Sequence, residues 1–251
     1  MKKVKILWSG ITGRTATHAK EIIKECPYAE IVAGVCRNNL EYYHYDELDK
    51  INEEFDVIVD FSNPKQFDKM IKFAIENNKP IILGTAGLTD EQVKKYEDAA
   101  KIIPVFRGGN FRSKVKVFID KVLEYVKSCD KDEFEIVETH YKGKKVPSET
   151  AKVIAKRIKD ETGKKSSIKS YCIYDDLIND WRVDDLSCRV ESFYELAEDI
   201  LDIALVMKYQ TSTQLYDLDG LYRENNITNL HEYAIKYAEE DDKINKKNVE
   251  I

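Results

Sequence analysis

With 251 residues, 43% of them hydrophobic and 34% charged, the chain has room for one large domain or two small ones and is too apolar to be disordered. No apolar run approaches the roughly 20 residues that cross a bilayer, and the basic-then-apolar start MKKVKILWSG is too short for an export signal and lacks its small-residue cleavage site. A net charge of −6 argues against sequence-independent nucleic-acid binding, which needs a basic face, but leaves room for a local basic pocket that takes an anionic small molecule.

The first half alternates strand and helix. VKILWSG (4–10) predicts a strand ending at Gly10, and a helix follows with Ala16, Ala19, Ile22 and Ile23 on one face. EIVAGVC (30–36) predicts a second strand, and DVIVDF (56–61) a third, apolar throughout as a strand covered on both faces should be. Asn63-Pro64 predicts an N-cap and first turn, followed by the stripe Phe67, Met70, Ile71, Ala74, Ile75. PIILGT (80–85) and IPVFR (103–107) predict two more strands, separated by a helix whose Thr89 and Gln92 have capping-box spacing. This order predicts a Rossmann-type doubly wound parallel sheet.

The second half predicts a second α+β domain with a mixed or antiparallel sheet. Residues 113–129 pattern as a helix, 133–141 as a strand, and 148–159 as a helix capped by Ser148. SIKSYCIY (167–174) and WRVDDLSCRV (181–190) pattern as antiparallel strands, ahead of a long stripe from Phe193 to Leu205. The polar segment TSTQ (211–214) follows, and a helix is expected after Thr228. Five scattered cysteines, Cys26, Cys36, Cys129, Cys172 and Cys188, form no CxxC pair or Cys/His cluster. Reduced cytoplasmic thiols and no metal site are therefore expected.

Gly10-Ile11-Thr12-Gly13-Arg14 lies where a first strand opens into a helix. There glycine admits a close backbone approach and the helix N–H groups face a pyrophosphate. The strict GxGxxG pattern is absent, and glycine also serves ligand-free turns. After the second strand, Arg37 stands where an acid accepts from the ribose of NAD, so it suits a 2′-phosphate, or is a surface arginine. Asp60-Phe61-Ser62 and Gly84-Thr85-Ala86-Gly87 end two further strands at the ligand-binding edge, or simply make turns. The segment from His140 to Thr150 joins a histidine and a tyrosine to Lys142, Lys144 and Lys145 and then to a helix start. It fits either a carboxylate or phosphate site with a proton donor, or a solvated loop before a capped helix.

Together these segments resemble the dihydrodipicolinate reductase family of the lysine and diaminopimelate pathway. The resemblance rests on Gly10-x-x-Gly13-Arg14 for GxxGRMG, DVIVDFSNP (56–64) for DxxIDFTxP, and IILGTAG (81–87) for GTTG. It continues with GGNFRSKVKV (108–117) for ANFSxGVNV, ETHYKGKKVPSETA (138–151) for ExHHxxKxDAPSGTA, and LYDL (215–218) for LYDM.

The resemblance implies an NADPH- or NADH-dependent reductase of a cyclic imine dicarboxylate, built of two domains, 1–111 with the returning segment 214–251, and 112–213. It implies coenzyme contacts from Gly10, Thr12, Gly13, Arg14, Arg37, Phe61, Gly84, Thr85, Asn110 and Phe111. His140 and Lys144 match the family's catalytic positions, and His140, Tyr141, Lys144, Ser148, Glu149 and Thr150 its substrate loop. A homo-oligomer is also implied, with a dimer favoured over the family's tetramer because the segment from Tyr174 to Trp181 is short.

Several positions depart from the pattern. Tyr141 replaces the second histidine, and Glu149 replaces the glycine of Ser-Gly-Thr, placing a carboxylate where a carboxylate should dock. One residue is missing before Pro147, so counting back from the proline puts the lysine slot on Gly143 instead of Lys144. Arg112, Lys114 and Lys116 replace small or neutral residues. Alternative readings are a diverged relative that keeps the fold with another ligand or a binding role, and a nucleotide-sensing module.

Overall fold

The apolar runs of the first half form parallel strands in the computed structural model, which describes residues 2–141, 143–173, 179–184, 186–190 and 193–249. In chain order the elements are β1 (Val4–Ser9), α1 (Arg14–Ile22), β2 (Ala29–Cys36), β3 (Tyr43–His44), a 3-10 turn (Leu48–Lys50), β4 (Val57–Asp60), α2 (Pro64–Glu76), β5 (Ile81–Leu83), α3 (Asp90–Ala99), β6 (Val105–Arg107) and α4 (Ser113–Ser128). Then come β7 (Glu133–Tyr141), α5 (Glu149–Thr162), β8 (Lys165–Ile173), β9 (Asn179–Val183), β10 (Leu186–Val190), α6 (Phe193–Lys208), β11 (Leu215–Tyr216), α7 (Leu218–Asn225) and α8 (Leu230–Val249). They fall into two units, residues 1–111 with 194–251, and residues 112–193.

The first unit holds a seven-stranded sheet in the order β11-β6-β5-β4-β1-β2-β3, parallel at every pairing. From β1 the chain runs outward to β2 and β3, then restarts on the other side with β4, so the order reverses at β1/β4. In such sheets, ligands bind outside the carboxyl ends of the strands at that reversal. Leu7, Val35, Ile58 and Leu83 pack with Phe67, Met70 and Ala74 of α2 and with Ala99 of α3. The alternate residues Ile6, Trp8, Val59 and Ile82 are buried too, so both faces are covered, as the unbroken apolar runs require. Local signals hold: Asn63 caps α2 by accepting from Lys65 N–H, and Thr89 and Gln92 form a full capping box on α3.

The second unit holds a four-stranded sheet, β10-β9-β7-β8. One face carries Phe134, Ile136, Trp181, Val183 and Cys188, packed on Val115, Phe118, Val122 and Val126 of α4 and on Ala151, Ile154 and Ile158 of α5. The expected architecture, a doubly wound parallel sheet plus a smaller α+β unit with a mixed sheet, is observed.

Two pairings differ from expectation. β8 joins β7 in parallel along its whole length, because α5 carries the chain back to the start of the sheet. WRVDDLSCRV is not one strand but a hairpin, β9 antiparallel to β10, turning at Asp184, which has φ +48°. Of the segment read as shortened, Tyr174–Ile178 lies outside the described residues.

The helix α6, expected in the second domain, groups with the first unit. Its residues from Ile200 to Met207 are all buried. Asp202 accepts from the Tyr28 hydroxyl at 2.8 Å and lies 2.9 Å from His231 Nδ1. Burial raises both the Asp202 carboxyl and the Tyr28 phenol above their ordinary values. At the helix end, Lys208 Nζ reaches the carbonyls of Lys2 and Lys3. α6 is thus tied to the start of β1 and to the residue just before β2.

Candidate active site

At the carboxyl end of β1 the chain turns sharply. Gly10 has φ +81°, and a Cβ there would lie 2.5 Å from the Phe61 carbonyl oxygen, so both conformation and space call for glycine. Gly13 N–H donates to Gly10 O at 2.8 Å, closing the turn. α1 then begins at Arg14 with no side-chain cap and no acid in its first turn. α4 also starts without a side-chain cap or an acid, whereas α2, α3, α5 and α7 are capped by Asn63, Thr89, Ser148 and Asp217. A helix start that lacks an intrinsic acceptor favours an anion, through its N–H groups and dipole. Thr12 and Arg14 lie exposed beside it. The turn therefore fits a dinucleotide pyrophosphate.

The neighbouring strand ends meet over aromatic surface. The Phe61 ring lies against Gly84, where a Cβ would fall 2.3 Å from it. It also packs against Phe111 at 5.2 Å and Trp8 at 6.2 Å between centroids. Thr85 and Phe111 are buried, Asn110 is half-buried, and Arg37 at the end of β2 is exposed. Behind this surface lies Asp60, fully buried. Ser9 Oγ donates to its Oδ1 at 2.7 Å and Thr85 Oγ1 to its Oδ2 at 2.9 Å. Burial outweighs these hydrogen bonds and holds the Asp60 carboxyl above its ordinary value.

The second unit has its own buried carboxylate. Phe134, Ile136, Glu138 and His140 alternate along β7 onto the inward face, and all are buried. Glu138 Oε1 accepts from Ser148 N–H at 2.9 Å and Ser170 Oγ at 2.6 Å. Its Oε2 accepts from Ser148 Oγ at 2.5 Å and His140 Nε2 at 3.0 Å. Burial alone would raise Glu138, but the hydrogen bonds from Ser148, Ser170 and His140 bring it below the ordinary glutamate value. Ser148 Oγ also accepts from Ala151 N–H and Trp181 Nε1, which fixes the start of α5.

His140 is 1% exposed. Its Nδ1 lies 2.9 Å from the Asn179 side-chain amide, and its ring meets Trp181 edge-on. Both nitrogens expected to serve proton transfer are thus engaged inside the fold. Lys144 and Lys145 are exposed on the loop before α5, after Gly143 with φ +91°. Glu149 is exposed and pairs with Lys152 at 2.7 Å, which offsets the repulsion expected at the helix start. Thr150 is half-buried. Lys142 and the Tyr141 side chain lie outside the described residues.

Missed in the sequence were Ser9, Tyr45, Ser170 and Asn179 as partners of these buried groups. The burial of His140 was signalled by parity, since it shares a face with Phe134 and Ile136.

Fold and turn define a chain with a Rossmann-type first unit and a glycine turn at the carboxyl end of its first strand. Residues 4–111 match the model of the family described as "Dihydrodipicolinate reductase, N-terminus". The chain is 35% identical over 158 residues to a 4-hydroxy-tetrahydrodipicolinate reductase of Caldanaerobacter subterraneus subsp. tengcongensis, covering 62% of this chain and 63% of that one. It is 32% identical over 181 residues to the enzyme of the same name from Buchnera aphidicola subsp. Cinara cedri, covering 62% and 66%. The chain thus spans just under two thirds of the length of these relatives. Among solved structures, a dipicolinate-bound dihydrodipicolinate reductase from Paenisporosarcina sp. TG-14 shares the fold, with TM-score 0.67 and 17% identity over 86% of this chain and 97% of that one. No helix among the described residues is long and apolar enough to cross a membrane.

Proposed function

We propose that the chain is an NAD(P)H-dependent reductase of a cyclic imine dicarboxylate, acting in the manner its relatives' name describes. The observation that carries this reading is the acid-free, uncapped start of α1 behind Gly10, at the point where the strand order of the first unit reverses. The turn Gly10, Thr12, Gly13 and Arg14 receives the pyrophosphate, and Arg37 receives a 2′-phosphate when the coenzyme is NADPH. Phe61, Gly84, Thr85, Asn110 and Phe111 border the nicotinamide end. When bound, the coenzyme supplies a hydride.

In the second unit, the exposed Lys144 presents its ammonium to a substrate carboxylate and donates the proton to the imine nitrogen that balances hydride addition at carbon. Thr150 and the N-terminal N–H groups of α5 hold the other carboxylate. Of the catalytic pair inferred from sequence, Lys144 keeps the proton-donating role in this reading. His140, buried against Glu138 and Asn179, holds the loop instead.

The oligomer in this reading is a cytoplasmic dimer. Glu133, Glu135, Lys165, Lys169 and Arg182 are exposed along the sheet strands of the second unit, and so charged a surface is a poor match for an extensive obligate interface. The test is turnover: the cyclic imine, generated in situ, should oxidise NADPH or NADH in stoichiometric amounts. Binding of coenzyme with no oxidation by this substrate would favour the alternative of a relative with another ligand. Light scattering on the purified chain checks the dimer.

A further inference from the structure

The hydroxyls that hold Asp60 come from residues adjoining glycines at the carboxyl edge of the sheet. Ser9 ends β1 and precedes Gly10, and Thr85 follows Gly84 just beyond β5. Asp60 itself ends β4 and precedes Phe61. Ser9 and Asp60 are partners on the last rung of β1/β4, and Asp60 and Leu83 on the last rung of β4/β5.

Beyond these rungs the backbone still holds the strand ends, with Gly10 N–H donating to Val35 O at 2.9 Å, Phe61 N–H to Ser9 O at 3.1 Å and Gly84 N–H to Asp60 O at 2.8 Å. There Gly10, Phe61 and Gly84 lie in contact, the Phe61 carbonyl against Gly10 and its ring against Gly84. Behind them, side-chain donors from both neighbouring strand ends converge on one carboxylate. Tyr45 Oη lies 3.1 Å from Ser9 Oγ, and Ser9 Oγ donates to Asp60 Oδ1. On the other side Ser62 N–H donates to Thr85 Oγ1 at 3.0 Å, and Thr85 Oγ1 donates to Asp60 Oδ2. A carboxylate accepts on both oxygens, whereas an amide of the same shape presents a donor to one of the two hydroxyls.

We infer that Asp60 is the positioning residue of the coenzyme edge: its carboxylate, without touching the ligand, sets the spacing of the Gly10, Phe61 and Gly84 backbone. The inference rests on the coenzyme reading above and deepens it. The geometry also explains the placement of an acid at the end of an otherwise apolar strand. A leucine there would remove the one acceptor that the Ser9 and Thr85 hydroxyls share.

The test is coenzyme affinity in Asp60→Asn, Ser9→Ala and Thr85→Val, with the double variant Asp60→Asn/Thr85→Val. Ile82→Val serves as a buried control that loosens β5 without touching the carboxylate. NADPH fluorescence titration on the full chain should show the dissociation constant raised about tenfold in Asp60→Asn, the cost of roughly one hydrogen bond to a charged group. Turnover at saturating NADPH should stay within about threefold of wild type, because the residue acts on binding geometry and not on the proton. The double variant should bind no worse than Asp60→Asn alone, since Thr85 acts through Asp60. Ile82→Val should lower the melting temperature and leave the dissociation constant unchanged.

Equal affinity in wild type and Asp60→Asn, or additive losses in the double variant, would overturn the inference while leaving the coenzyme reading intact. A wild-type chain that binds neither NADPH nor NADH would overturn both. If Asp60→Asn does not fold, Ser9→Ala and Thr85→Val carry the same comparison, each expected to weaken binding by a smaller factor.

Discussion

Asp60 in the first unit and Glu138 in the second are both fully buried carboxyl groups, yet they lean in opposite directions. Asp60 accepts from two hydroxyls, and burial wins: its carboxyl titrates above the ordinary range. Glu138 accepts from a backbone N–H, two serine hydroxyls and an imidazole, and there the donors win. The balance between burial and the donors aimed at the group decides the charge state of each acid: burial prevails at Asp60 and the donors at Glu138. Each group also has a local task. Glu138 fixes the start of α5 and the end of β7, from which the lysine-bearing loop hangs, while Asp60 joins the Ser9 and Thr85 hydroxyls beside the turn at Gly10.

The division of labour between the units is tested most sharply at the loop itself. Lys144→Ala should lower turnover by about a hundredfold or more, the scale of a lost proton donor, and leave NADPH affinity within a factor of two. Equal losses in both quantities would erase the separation.

Next in size is Glu138→Gln. It swaps an ionised acceptor of four donors for an amide, at an expected cost near 1.5–3 kcal/mol in unfolding free energy. Because the folded Glu138 value is lowered, its contribution is present above the unfolded value of about 4.3 and is lost as pH falls through the folded value. The deficit of Glu138→Gln in denaturant melts should therefore shrink as pH drops below that range.

Asp60→Asn should show the reverse. With the folded value raised, the Asp60 contribution is fully present below about pH 3.9 and is lost as pH rises through the folded value. Relative to wild type, the variant should gain stability as pH climbs. Parallel pH profiles for the two variants would contradict the contrast between the sites. The smallest effect is expected away from both groups, where Asn63→Ala removes the cap of α2 and should cost about 1 kcal/mol at every pH.

Much of this architecture was legible because it rests on local chemistry. The Asn63-Pro64 start, the Thr89/Gln92 box and the apolar runs of β1, β2 and β4 each depend on neighbours a few residues away. β3, only Tyr43-His44, has no periodicity to show, and its edge position follows from pairing with β2. The direction of β8 was hidden because alternation is the same in parallel and antiparallel strands. The split of β9 from β10 includes Asp184 in left-handed conformation, which no periodicity signals.

For the site, the glycines and the lysine loop were visible as motifs. The role of His140 as a buried partner was not, although its parity with Phe134 and Ile136 predicts it. Ser170 and Asn179 reach Glu138 and His140 from strands more than thirty residues away, a distance no local pattern spans.

The central claim is that a nicotinamide dinucleotide lies against the turn at Gly10. The most direct measurement is a fluorescence titration of NADPH into the wild-type chain and into Gly10→Ala, whose added methyl would press on the Phe61 carbonyl at 2.5 Å. Saturable binding by the wild type, with affinity lost in the folded variant, is the predicted result. Binding that the methyl leaves unchanged, or no binding of either NADPH or NADH, would contradict it.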